Sequence, residues 1–271
     1  MSVIPLYPEA GPARPLKGLY LERDVRPEGW AENGRGPFIY ANYIASVDGR
    51  ISLRDASGFS VPAALANARD WRLYQELAAQ TDVLIVSGRY VRQLAAGAAQ
   101  ADPPVSTADE YADLLAWRRA RGLPAQPDIA IVSASLDIPP EPIRRLAGRR
   151  VLVLSTAHAD GARKRALERA GAQVLPAGEA RVEGGRLRER LREMGYATAC
   201  MVAGPKVHAT LVGAGALDAL FLTTRHLLLG GDAGDFHTIL EGPAMATRLA
   251  LESMHLDEIG GQSFARYRVL S

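Results

Sequence analysis

The sequence predicts an α/β domain, a mixed but mostly parallel sheet with helices on both faces. Short apolar runs rich in β-formers alternate with helical patterns of about 10 to 15 residues from position 37 onward. The two closing runs follow one another with no helix between them, so at least one sheet edge is antiparallel. No composition shift or linker divides residues 37–271, which read as one domain behind an N-terminal arm, residues 1–36.

The arm carries Pro5, Pro8, Pro12, Pro15 and Pro27 among several glycines. Such a stretch sustains neither a helix nor a central strand and reads as an arm, either mobile or laid over a neighbouring surface, whose removal is expected to leave the core folded. Phe38–Ala45 is an apolar strand, and Asp48-Gly49 offers a hairpin turn before Arg50-Ile51-Ser52-Leu53. A helix is expected near 62–79, with Pro62 tolerated in its first turn. Val83–Val86 is a short buried strand, and Ser87-Gly88 leads directly into a helix near 89–96. The alternation continues with a helix near 108–120 and strands Ile129–Val132, Val151–Leu154, Gln173–Leu175 and Thr198–Val202. Helices near 162–170 and 186–194 lie between them. A helix near 205–212, a strand near 217–224 and closing strands near 249–256 and 264–270 complete the chain.

Composition excludes several classes of function. A chain of 271 residues can bury roughly 70 to 75% of its unfolded surface, so no disulfide or structural metal is required. Cys200 is the single cysteine, which rules out a Cys-rich metal site. The 32 basic and 30 acidic residues leave a net charge of +2, with no basic surplus that argues for nucleic acid. The first residues lack the features of a signal peptide, and no run approaches roughly 18 apolar residues. A soluble cytoplasmic protein without a membrane partner is expected.

Two strand-to-helix junctions suit an anion. At Val86-Ser87-Gly88-Arg89 the free amides of a helix start, with Arg89 and Arg92 nearby, could hold a phosphate; an ordinary turn with solvated arginines is the alternative. At Val202-Ala203-Gly204-Pro205-Lys206 the glycine permits close backbone approach, and Pro205 fits the first turn. Lys206 there opposes the helix dipole unless an anion is present. Gly230-Gly231 ends an apolar run as a loop, whereas Gly213-Ala214-Gly215 is a helix stop. His158, His208, His226, His237 and His255 show no His–His pairing at metal-ligand spacing, so no metal site is expected. Cys200 reads as an inert core residue, and Asp48 on its own as a turn former.

Three segments in order carry a resemblance. Ala45-Ser46-Val47-Asp48-Gly49-Arg50 resembles the A-S-L-D-G-R opening of the reductase domain in bifunctional riboflavin-biosynthesis deaminase/reductases. Ala203-Gly204-Pro205 through Leu220 is similar to that domain's E-G-G…A-G-L-V-D-E-L stretch, and Leu228–Gly234 to its L-L-G-G-D-A-G loop. Val86–Arg89 also looks like the M-G-R turn of dihydrofolate reductases. The resemblance spans residues 38–271. It implies a dihydrofolate-reductase-like three-layer fold, NADPH as hydride donor, a homodimer, and a ribosylaminopyrimidine 5′-phosphate or related phosphorylated heterocycle as substrate. Gly88, Arg89, Gly204, Pro205, Lys206 and Val207 would then hold the cofactor, with Gly230 and Gly231 along its pyrophosphate. Ser46 and Asp48 would stand near the reacting carbon.

Departures fall on the substrate side. Val202 replaces the family's glutamate, Ala78 its helix arginine, and Tyr90–Gly97 lacks the usual threonine, aspartate and arginine. Ser60, Arg69 and Arg72 are the candidate replacements, since Arg69 and Arg72 lie three apart and could face one cleft. The expected function is a stand-alone NADPH-dependent reductase with a divergent substrate; the alternative is a nucleotide-binding, non-catalytic partner protein of the same fold.

Overall fold

A sheet of eleven strands forms the centre of the computed structural model, which describes residues 1–30, 34–56, 58–97, 104–146 and 148–270. Its first half alternates strand and helix as expected: β3 (Phe38–Ser46), α1 (Ala68–Ala79), β6 (Val83–Ser87), α2 (Gly88–Ala95), α3 (Ala112–Ala120) and β7 (Asp128–Val132). A short helix not foreseen from the sequence, α4 (Pro140–Arg145), precedes β8 (Val151–Ser155). Then follow α5 (Gly161–Arg169), β9 (Ala172–Pro176), α6 (Gly184–Glu193), β10 (Thr198–Met201), α7 (Pro205–Gly213) and β11 (Ala219–Arg225). The chain closes with β13 (Arg248–Asp257) and β14 (Gln262–Leu270). Strands β11, β3, β10, β6, β7, β8 and β9 are parallel in that spatial order, and β14 pairs antiparallel with β11 and β13. This is the layered, mostly parallel architecture that the resemblance implies.

Side-chain alternation along each strand separates the two layers. Ile39, Ala41, Tyr43 and Ala45 of β3 pack with Leu187 and Leu191 of α6 and Val207 and Leu211 of α7. On the opposite face Tyr40, Leu84, Cys200 and Phe221 meet Leu77 of α1. Farther along, α2, α4 and α5 cover β7, β8 and β9. Cys200 is fully buried, and burial pushes its thiol far above the usual range, as an inert core residue requires.

Three expectations are corrected. The segment before residue 37 is part of the sheet: β1 (Ser2–Tyr7) pairs antiparallel with β13, and β2 (Arg14–Pro15) with β1. Its prolines are tolerated because these strands lie at the edge. Val3, Leu16 and Leu19 pack on Leu73 and Phe264. The Glu76 carboxylate accepts the Gly18 and Tyr20 amides at 2.6 and 2.9 Å, and Gln80 takes the Val25 amide at 3.1 Å. Of the two alternatives for the arm, the structure has it laid over its neighbours and fastened to α1, so the core is expected to depend on it.

The second correction concerns the hairpin. The Asp48-Gly49 turn closes, with Ser46 N–H donating to the Arg50 carbonyl at 3.0 Å. The chain beyond it leaves the main sheet, though. β4 (Ser52–Asp55), β5 (Gly58–Ser60) and β12 (Phe236–His237) make a separate three-stranded flap. Third, α1 starts at Ala68 rather than near 62, because the Asn67 side chain accepts the Arg69 and Asp70 amides as its N-cap.

Candidate active site

Neighbouring parallel strands β6 and β10 send their following helices to opposite faces of the sheet: α2 joins the α1 layer and α7 the α6 layer. Such a reversal opens a crevice at the carboxyl ends of the strands. Gly88 and Gly204 stand at its two lips. A Cβ on Gly204 would have Arg89 Nη2 as its nearest neighbour at 3.8 Å, so the backbone there is open to a ligand. Gly88 differs: a Cβ would come within 3.1 Å of Ser133 Oγ, so this glycine makes room for the end of β7. Pro205 opens α7, and the Gly204 carbonyl accepts the Val207 and His208 amides. The Val207 side chain is buried in the core, so it presents no group to the crevice.

The glycine loop is drawn to the turn after β3. Asp48 accepts the Gly230 amide at 2.8 Å, the Leu229 amide at 3.2 Å and the Ser46 hydroxyl at 2.5 Å. The hydroxyl of Ser46, followed by the Gly230 amide, holds the Asp48 carboxyl down to about 2. Gly230 and Gly231 have φ of +67° and +104°, which requires glycine at both. Arg50 completes the latch, donating to the Asp48 carbonyl at 2.7 Å and the Gly230 carbonyl at 3.2 Å.

His237 and Glu241, which sequence reasoning missed, join this cluster. His237 Nε2 lies 3.3 Å from Arg89 Nη1, Nδ1 is 2.8 Å from Glu241, and the ring packs on Phe59 with centroids 3.9 Å apart. The signal available was the i, i+4 spacing of a histidine and a carboxylate, which a search for paired histidines passes over.

The other candidates lie elsewhere. Lys206 is exposed and lines a groove between α6 and α7 with Gly184, Arg186 and Thr210, and Glu241 borders that groove too. Ser60 donates to Asp55 across the flap hairpin at 2.5 Å. The expectation for Arg69 and Arg72 is corrected. Arg69 donates to the buried Asp257 at 2.5 Å and to the Ser2 carbonyl at 2.7 Å. Arg72 is buried between Glu76 at 2.9 Å and Asp113 at 2.6 Å. Three-residue spacing put both on neighbouring positions of α1, but one turns to β13 and the other to α3. Arg92 donates to the Asp137 carbonyl at 2.5 Å, away from the Arg89 cluster. Among the described residues no group of three or more His, Cys, Asp or Glu could hold a metal ion, and no helix is long and apolar enough to cross a membrane.

Comparison with known proteins decides the family. The profile described as RibD C-terminal domain matches residues 37–263. The chain belongs to the RibD C-terminal domain family. Among solved structures, a pyrimidine reductase-like protein from Corynebacterium diphtheriae shares the fold at a TM-score of 0.71 and 18% identity, covering 95% of this chain and 100% of that one. RibD from Acinetobacter baumannii matches at 0.61 and 14% identity over 89% of this chain, which spans 60% of that longer protein. The riboflavin biosynthesis reductase Rib7 of Saccharomyces cerevisiae matches at 0.56 and 14% identity, covering 89% and 94% of the two chains. A search of the curated proteins gave no significant match.

Proposed function

We propose that this RibD C-terminal domain protein is an NADPH-dependent reductase acting on a small heterocycle. The observation that carries the reading is the crevice above β6 and β10, with the Asp48-latched glycine loop bordering it. Open backbone at Gly204, two left-handed glycines and the exposed Arg89 guanidinium fit the phosphates of a dinucleotide. When bound, NADPH supplies the hydride; the chain orients the reactants and excludes water. Asp48 stays anionic across the neutral range, so it accepts hydrogen bonds and does not act as an acid. Ser46, whose hydroxyl donates to it, belongs to the same latch.

Arg69 and Arg72 are neutralised inside the protein, and Val202 and Ala78 add no charge. A dianionic sugar phosphate left without a cation would be costly to desolvate. A substrate with less negative charge than the ribosylaminopyrimidine 5′-phosphate fits better. NADPH oxidation measured with that phosphate and with its dephosphorylated counterpart tests this, and faster turnover of the phosphate would overturn the preference. NADPH binding without turnover of any heterocycle would move the protein to the non-catalytic class.

A homodimer accompanies this reading. Leu222, Leu249, Leu251, Met254, Leu256 and Tyr267 share one face of β11, β13 and β14, all incompletely buried. An apolar face of this kind suits a second copy of the chain. Light scattering at micromolar concentration should give twice the chain mass, and the monomer mass would remove the proposal.

A further inference from the structure

We infer that His237 is a proton-linked phosphate ligand of the crevice, oriented by Glu241, and that it takes up a proton when a dinucleotide binds beside Arg89. The inference rests on the cofactor reading above and adds a residue and a linkage to it.

The geometry assigns the resting proton. A guanidinium has only donors, so the His237 Nε2 that faces Arg89 at 3.3 Å presents its lone pair. The single ring proton then sits on Nδ1, where Glu241 accepts it at 2.8 and 3.0 Å. Glu241 is itself held, accepting the Thr238 amide at 3.1 Å. The ring cannot swing freely: its backbone carbonyl accepts the Ile51 amide at 2.9 Å, and its face lies on Phe59. The charged groups around it are Arg89 from α2, Glu241 from the segment after β12, and Lys206 from α7 in the groove that Glu241 borders. Arg50, whose guanidinium stacks 3.7 Å over the adjacent Phe236, and Arg54, whose guanidinium stacks 4.6 Å over Phe59, complete the set. Arg54 is in turn paired with Asp235.

An anion at Arg89 reverses the preference at Nε2. A phosphate oxygen that accepts from the Arg89 guanidinium removes the donor facing Nε2 and puts negative charge beside it. One proton from solvent then occupies Nε2, the phosphate accepts it, and Glu241 stabilises the imidazolium through Nδ1. Histidine is suited to this because its charge changes in the physiological range. The Nε2–H bond that forms is balanced by the bond to hydrogen broken in the solvent or buffer acid that supplies the proton, and no electrons are transferred.

Calorimetric titration of the full chain with NADPH, in two buffers of different ionisation enthalpy at about pH 7.5, reads the proton directly. The wild type should take up a large fraction of one proton per NADPH, and its Kd should fall several-fold on acidification. His237→Asn should abolish that uptake and flatten the pH dependence, and Glu241→Gln should reduce it. Comparison with the variants cancels any proton exchanged by the 2′-phosphate of NADPH. NADPH binding without uptake, or undiminished uptake in both variants, overturns the inference and leaves the reductase reading standing. No NADPH binding by the folded wild type overturns both.

Discussion

Arginines mark both the α1 layer and the crevice above β6 and β10, and the two regions use them differently. On α1, Arg69 and Arg72 are enclosed and matched by Asp257, Glu76 and Asp113. The same Glu76 fastens the N-terminal segment through two amides. At the crevice, Arg89 is exposed and faces a histidine, and Arg50 shares its donors among backbone carbonyls. A cation whose hydrogen bonds are met by buried carboxylates holds the fold together. One that faces solvent and an imidazole ring remains available to an anion. Charge content alone would not separate the two.

The comparison breaks if variants on the α1 side change ligand affinity while leaving stability alone. Removing residues 1–36 should have the largest effect. It deletes Val3, Leu16, Leu19 and Val25 from the core, each contributing about 1.5 to 3 kcal/mol, and strands the buried Glu76. Loss of a cooperative melt by circular dichroism is expected. Arg72→Ala should lower stability by about 3 kcal/mol or more in denaturant titration, because Glu76 would be left buried without its cation. NADPH affinity, by contrast, should hold.

The same layer sets a pH dependence. Asp70, buried on the first turn of α1, has its carboxyl raised to about 6 by desolvation, partly offset by Thr223 and Arg225. Raised above its unfolded value, it contributes stability that is full below about pH 4 and lost as pH rises through about 6. Asp70→Asn should flatten that decline, whose amplitude is about 2 to 3 kcal/mol. Chemical denaturation at a series of pH values reads it.

On the crevice side, Asp48→Asn should weaken NADPH binding several-fold with little change in melting temperature, since the latch loses its charge and not its core packing. Because the Asp48 carboxyl is depressed, the latch is intact at neutral pH and fails only as pH falls toward 2. Lys206→Ala should have the smallest effect, within about 0.5 kcal/mol in NADPH affinity, as an exposed side chain in the groove between α6 and α7. A larger loss would extend the crevice across the start of α7 and weaken the distinction drawn here.

What the sequence by itself determined was local. Apolar runs such as Val83–Val86 and Val151–Leu154 read as buried strands because a strand covered on both faces needs no polar alternation. The strand-to-helix junctions at Gly88 and Gly204 were legible for the same reason, as were the glycines of the 230–231 loop. Strand β1 was hidden because β2 covers it only at Ser2 and Val3, so Pro5 breaks no ladder on that side and the composition resembled a loop. Partnership was decided only by the tertiary structure. Arg72 meets Asp113 across 41 residues, Arg69 meets Asp257 across 188, and the Gly230 amide reaches Asp48 across 182. Helical spacing says which side chains are neighbours on one element. Whether a charge is spent inside the fold or left for a ligand depends on the element packed opposite, and that is a property of the assembled sheet.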